Sequence, residues 1–303
     1  MEKCLITRIV RDSILDGPGC RYTIFVKGCH LRCEWCHNPE TQSLKQEILR
    51  YPKFCIKCGN CVKAIGGNPE KDVMPIIIDN TKAEMYYSCV DNCPTNALEY
   101  AGKEFSVSQL LDDMQKYRTV YNRTKGGLTI SGGEPLLHEN FSYNLFAKAK
   151  SAGFHTAVDT TAAFEWELLE KFLPVIDLWM IDIKHLYDSK LKSVLVLENL
   201  LKLSSIKDIN IWIRVPLIPG YNDLDNLLKE MAEVIKKAGK AIKQVSILPF
   251  HPLGDAKYNA LCRNYQFAKH DELNTEILNK TRNKFAEILK PVEVITGIRM
   301  IHG

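Results

Sequence analysis

The chain has 303 residues, 46% of them apolar, which is enough for one large α/β domain with or without a smaller insert. Its 40 basic and 36 acidic side chains leave a formal charge of +4 spread along the whole length, which makes no case for nucleic acid or an anionic membrane as partner. No run approaches the ~18 apolar residues of a membrane span, and Met1–Arg11 lacks the apolar stretch of a secretory signal, so a cytoplasmic protein is expected.

Residues 22–28 read as a short buried strand leading into a cysteine loop. Between about 50 and 102 the character changes: five cysteines, several Pro and Gly and few apolar runs predict a loop-rich insert with metal at its core. Beyond it, strand-like runs at Leu128–Ser131, His155–Asp159, Leu178–Ile183, Asn210–Pro216 and Gln244–Phe250 alternate with amphipathic stretches. Those stretches lie near 107–121, 140–152, 165–173, 190–203, 223–238 and 272–289. Such alternation predicts βα units and a parallel sheet, open or partly rolled into a barrel. Several strands end in site-like residues: Cys29, Ser131-Gly132-Gly133-Glu134, Asp159-Thr160, Asp182-Ile183-Lys184 and His251. In parallel α/β folds the carboxyl ends of strands converge on one rim, where chemistry collects.

Eleven cysteines in a chain expected in a reducing compartment point to metal or catalysis rather than disulfides. Cys29-x3-Cys33-x2-Cys36 follows the first strand directly. Three thiolates on a short loop can hold three irons of a four-iron cluster and leave the fourth iron open to a small chelating molecule. Zinc completed by His30 or His37, or unlinked core cysteines, are the competing readings. Taken singly the other residues have plainer explanations: a tight Gly-Gly turn, helix-capping aspartates, a packed histidine at 251.

With Asp16-Gly17-Pro18-Gly19-Cys20-Arg21, Lys27-Gly28-Cys29 and Cys33-Glu34-Trp35-Cys36-His37-Asn38-Pro39 in hand, the chain resembles the radical S-adenosylmethionine superfamily. Within it, from about residue 6 to 270, it resembles the activating enzymes of glycyl radical enzymes. The resemblance implies that Cys29, Cys33 and Cys36 ligate a catalytic [4Fe-4S] cluster whose open iron chelates S-adenosylmethionine. One-electron reduction then yields methionine and a 5′-deoxyadenosyl radical. It further implies cofactor contacts from Trp35, His37, Asn38, Ser131, Gly132, Gly133, Glu134, Asp182, Arg214 and His251, with Lys184 on the methionine carboxylate. Asp159, Thr160, Asp182 and the Met180 carbonyl resemble a monovalent cation site. Asp16 resembles a residue near the glycyl loop of the substrate protein. After Lys184 the chain lacks a Thr-Gly and Asn loop that such enzymes usually carry.

The second group, Cys55-x2-Cys58-x2-Cys61 and Cys89-x3-Cys93-Pro94, looks like pieces of a bacterial ferredoxin, where the trailing Cys of one run ligates the other cluster. By that swap rule Cys93 completes one auxiliary cluster with Cys55, Cys58 and Cys61, and Cys89 is a remnant. Cys89 as the fourth ligand, and a four-cysteine zinc site, remain as alternatives. Cys4, Cys20 and Cys262 are read as small buried hydrophobes.

The expectation is a partial (β/α)6 TIM-type barrel from residues 1–47 and 103–303, with a ferredoxin-like insert at 48–102. It would be an anaerobic, cytoplasmic oxidoreductase with two [4Fe-4S] clusters, taking its electron from reduced flavodoxin or ferredoxin. It would abstract hydrogen from a glycine of a partner glycyl radical enzyme. The competing functions are a radical S-adenosylmethionine enzyme acting on a small molecule or peptide, a non-enzymatic Fe–S electron carrier, and a structural zinc protein.

Overall fold

The computed structural model describes residues 2–270 and 272–297. Strands are β1 (Lys3–Ser13), β2 (Arg21–Val26), β3 (Ile48–Arg50), β4 (Leu98–Tyr100), β5 (Lys103–Ser106) and β6 (Gly127–Gly132). They continue with β7 (His155–Thr160), β8 (Leu178–Asp182), β9 (Ile211–Leu217), β10 (Ile242–Pro249) and β11 (Glu293–Thr296). Nine of them form one sheet in the order β11-β10-β9-β8-β7-β6-β2-β1-β5. From β2 through β11 every neighbouring pair is parallel, while β1 lies antiparallel between β2 and β5. Among the described residues β5 and β11 are not paired to each other, so the sheet is open.

All six expected strands are present, with helices at Glu139–Ser151, Trp166–Phe172, Ser193–Ser204, Asp225–Lys237 and Thr275–Ile288 between or after them. The helix expected over 107–121 is two, Val107–Gln115 and Arg118–Thr124, the first opened by a Ser106/Gln109 capping box. The β1, β5 and β11 strands were not expected.

Alternation along the strands divides the sheet into two faces. One carries Ile24, Ile130, Val158, Ile181, Ile213 and Ile247 into the main apolar core. On the opposite face Ala157, Leu178, Met180 and Trp212 form a small apolar layer. One step nearer the carboxyl ends, on that same face, stand Ser131, Asp159, Asp182 and Arg214. The register aligns Asp159 with Met180 and Asp182 with Arg214. The polar layer thus has a dry floor under it, as the stacked interior layers of a barrel do.

The stretch expected to be an insert has its own core of Ile48, Cys61, Val62, Ile76, Ile78, Cys89 and Leu98. Its two ends pair as the antiparallel ribbon β3–β4, Ile48 facing Tyr100 and Arg50 facing Leu98. Among the described residues no helix is long and apolar enough to cross a membrane.

Candidate active site

The loop after β2 is closed on itself: Gly28 N–H donates to the Thr41 carbonyl (2.6 Å) and Cys29 N–H to the Gln42 carbonyl (3.1 Å). Its base is clamped to β6, with Gly133 N–H on the Val26 carbonyl (2.9 Å) and Glu134 N–H on the Gly28 carbonyl (2.8 Å). This contact explains the Gly-Gly pair. A Cβ on Gly133 would lie 2.1 Å from the Gly28 oxygen, and Gly132 has φ +109°, a conformation that favours glycine.

Beneath the loop, Leu31 and Trp35 pack with Phe250, Tyr258, Tyr265 and Phe267. The Trp35 ring lies 4.3 Å from that of Tyr221. A salt bridge of 2.6 Å joins Lys257 to Glu40, and Lys257 also donates to the Asn38 amide oxygen (2.6 Å), holding the loop's far end. At the near end the Lys27 ammonium is buried, donating to Glu47 (2.7 Å) and to the Glu40 carbonyl (2.7 Å). On its other side Glu47 accepts from Arg263. Lys27, Glu47, Lys257 and Arg263 were not assigned from sequence. Lys27 alone stood inside a quoted motif, and nothing local marks the others.

Cys29, Cys33 and Cys36 line one cavity of about 430 Å3, within the ~300–1,000 Å3 of small-molecule sites. Asp16, Trp35, His37, Asn38, Ser131, Gly132, Gly133, Asp159, Thr160, Asp182, Lys184, Arg214 and His251 share its wall. Glu134 and Met180 do not. The Glu134 carboxylate is fully buried and accepts from Thr160 Oγ1 (2.5 Å), Thr161 Oγ1 (2.7 Å) and Thr161 N–H (3.0 Å), tying β6 to the end of β7. Burial raises its pKa against those three hydrogen bonds. The Met180 side chain belongs to the apolar floor.

Across the floor runs a balanced ion network. Arg214 donates to Asp159 (2.7 Å) and lies 3.5 Å from Asp182; Lys184 donates to Asp182 (2.5 Å); Ser131 donates to Asp159 (2.7 Å). Burial opposes ionisation of Asp182, but Lys184 and Arg214 outweigh it and hold its carboxyl below the usual range. For Asp159 burial prevails over Arg214, and its pKa is raised. Both cations are held more firmly protonated by these carboxylates, against burial. His37 and His251 stack at 4.1 Å between ring centroids, leaving His37 Nε2 and His251 Nδ1 buried without partners. Asp182 Oδ1 also lacks a hydrogen bond. Asp16 accepts from Ser13 Oγ (2.6 Å), and its carbonyl accepts from Thr129 Oγ1 (2.7 Å).

Burial pushes the Cys29 thiol up to about 12 and the Cys36 thiol to about 11, and raises Cys33 as well. Thiols in such a setting keep their protons until a metal displaces them. Among the described residues no three Cys, His, Asp or Glu side chains converge as they would around one ion. A four-iron cluster spreads its thiolates over separate corners, so the relevant observation is that all three sulfurs face one space. Together with the unpartnered polar atoms on the same wall, they fit a cluster and a chelating polar cofactor.

In the other cysteine-rich segment Cys55, Cys58, Cys61 and Cys93 line one small pocket. Cys89 does not: fully buried, it donates its S–H to the Cys61 carbonyl (3.2 Å).

A family model described as a 4Fe-4S single cluster domain matches residues 15–200. The chain is 36% identical over 291 residues to the benzylsuccinate synthase activating enzyme of Thauera aromatica, covering 91% of this chain and 88% of that one. It is likewise 36% identical over 295 residues to the trans-4-hydroxy-L-proline dehydratase activating enzyme of Clostridioides difficile, covering 93% and 95%. A domain of a pyruvate-formate lyase-activating enzyme from Bacteroides vulgatus superposes with a TM-score of 0.46 at 24% identity, covering 57% of this chain and 99% of that domain.

Proposed function

This chain belongs to the activating enzymes of glycyl radical enzymes, and from that premise we propose that the 430 Å3 cavity is where it generates a radical for a partner's glycine. With the cluster and S-adenosylmethionine bound, the chemistry supplied is one-electron cleavage to methionine and a 5′-deoxyadenosyl radical, which takes a hydrogen atom from a glycine Cα. The single observation that carries this reading is that Cys29, Cys33 and Cys36 share one wall with the strand-end residues of five different strands.

The chain's own residues bind, orient and exclude water. Cys29, Cys33 and Cys36 hold the catalytic cluster. Lys184 pairs with the methionine carboxylate, its ammonium kept charged by Asp182. Gly132 and Gly133 let backbone lie along the methionine end, with Ser131 beside them. His37, His251, Asn38 and Trp35 line the same cavity, and Arg214 with Asp182 presents fixed charge to it. Glu134 acts at one remove, holding the end of β7 in position. Asp16 stands at the rim toward the partner's glycyl loop.

For a monovalent cation the residues fit less well. Asp159 and Asp182 already face the protein's own cations, Arg214 and Lys184, and the Thr160 hydroxyl is given to Glu134. No step is assigned to such an ion.

The parallel strand order and the apolar layer under the polar one support a partial (β/α)6 barrel from residues 1–47 and 103–303. The separate core and paired ends of 48–102 support a ferredoxin-like insert. Its four-thiol pocket supports one auxiliary [4Fe-4S] cluster on Cys55, Cys58, Cys61 and Cys93. Reduced flavodoxin or ferredoxin is the proposed electron donor.

The test is 5′-deoxyadenosine formation by anaerobically reconstituted protein with S-adenosylmethionine and dithionite, beside a Cys29/Cys33/Cys36→Ala control. Product from the wild type alone supports the reading. Fully loaded wild type that makes none sinks it.

A further inference from the structure

Around the four-thiol pocket, exposed apolar and basic side chains occur together. Cys58 is exposed, whereas Cys61 is buried and Cys55 and Cys93 are half-buried, so one corner of the pocket meets solvent. Ile56 lines the pocket and is nevertheless 65% exposed; Phe54 and Ile65 beside it are 50% and 46% exposed. Interleaved with them are the exposed lysines Lys53, Lys57 and Lys63, and the stretch 51–66 contains no Asp or Glu. Exposed apolar side chains interleaved with lysines suit docking to an acidic protein surface.

We propose that this face, Lys53, Phe54, Ile56, Lys57, Lys63 and Ile65 around the Cys58 corner, is the docking site of an acidic one-electron carrier protein. The inference rests on the auxiliary-cluster reading of Cys55, Cys58, Cys61 and Cys93. The occupant is chosen by two properties found together on this face: exposed lysines in a stretch without Asp or Glu, and a thiol-lined pocket with one corner open to a redox partner. Lysines steer an acidic protein from a distance, and the apolar side chains bury on contact. The carrier is oxidised by one electron and the chain is reduced by one. The other cysteine group opens into the cavity that must receive cofactor and substrate, so an approach on the insert leaves that mouth free.

Reduction of reconstituted enzyme by fully reduced flavodoxin is followed by stopped-flow absorbance at low and near-physiological ionic strength, in wild type, K53Q/K57Q/K63Q and K53E/K57E/K63E. Iron content, dithionite-driven 5′-deoxyadenosine formation and dithionite-driven glycyl radical yield are measured in parallel. The charge-reversed variant should be reduced about tenfold or more slowly at low salt, with its salt dependence flattened or inverted and the neutral variant between. Its iron content and its dithionite-driven reactions should match wild type. Wild-type reduction rates and salt dependence in K53E/K57E/K63E would overturn the docking inference alone. Unchanged carrier reduction with lost glycyl radical formation would assign the face to the protein substrate instead. About four irons in correctly loaded wild type, rather than about eight, would overturn the auxiliary-cluster reading first and this inference with it.

Discussion

Lys27→Met tests whether the cysteine loop is held by buried charge. The Lys27 and Glu47 side chains are 0% and 3% exposed, so their 2.7 Å ion pair is not screened by solvent. Methionine removes a charge-assisted hydrogen bond, worth about 1.5–3 kcal/mol, and leaves the Glu40 carbonyl short of a donor at about 1–3 kcal/mol. Glu47 keeps Arg263, so its charge is not orphaned, and part of the loss returns as buried methionine. A net cost of about 3.5 kcal/mol follows. At about 2.1 cal/mol/K per residue the unfolding entropy of 303 residues is about 0.64 kcal/mol/K. The midpoint should therefore drop by about 5–6 °C in anaerobic calorimetry at fixed scan rate. Glu47→Gln should cost as much or more, since burial already lowers the Lys27 pKa and the opposing carboxylate would be gone. The double variant should be milder than the two singles combined, by about 1–2 kcal/mol. A Lys27→Met midpoint within about 1 °C of wild type, or strict additivity, would refute the reasoning.

Three further outcomes are expected. Cys93→Ser should lower reconstituted iron from about eight to about four per chain while Cys89→Ser leaves it unchanged, as iron analysis would show. Gly133→Ala should abolish loading of the catalytic site, read as loss of its electron paramagnetic signal, because the added carbon meets two carbonyl oxygens, at 2.1 and 2.7 Å. His155 is held down to about 4 from 6.5 by burial and then by Arg21. The unfolded chain therefore takes up a proton below about 6.5 that the folded chain refuses until about 4. Stability falls as pH drops through that window and levels off below it. Denaturation curves of His155→Gln should show a slope shallower by up to about 1.4 kcal/mol per pH unit there.

The six parallel strands were legible because each is a short apolar run bounded by polar residues and followed by a helical period. The β1 strand was missed although it is the longest. Its exposed arginines and half-buried threonine break the apolar pattern, and pairing with Arg21–Val26 on one side and Lys103–Ser106 on the other makes it a strand. The strands β5 and β11 are four residues each, too short for periodicity to show. The helix over 107–121 splits after Gln115, a break no proline or glycine announces. Motif residues at strand ends did converge on one cavity, because parallel strands share a carboxyl edge. Glu134 shows the limit of that argument: a strand-end position gives the rim, but the side chain turned inward to two threonine hydroxyls. The Lys27–Glu47–Arg263 chain was beyond reach, since Arg263 finds Glu47 across 216 residues of sequence.

The β3–β4 neck has a consequence for how such a chain can be rebuilt. The polypeptide enters the segment through Ile48–Arg50 and leaves it through Leu98–Tyr100 on directly opposed residues, with Tyr51 N–H bonded to the Ala97 carbonyl (2.8 Å). Beyond that ladder the segment also touches the rest of the chain at Asn80, whose amide donates to the Leu261 carbonyl (3.3 Å), so it sits like a cartridge in a shallow socket. A tight turn joining Arg50 to Leu98 would close the gap with no change of register on either side. Lineages could thus gain, shed or exchange the cartridge without redrawing the cavity that Cys29, Cys33 and Cys36 line.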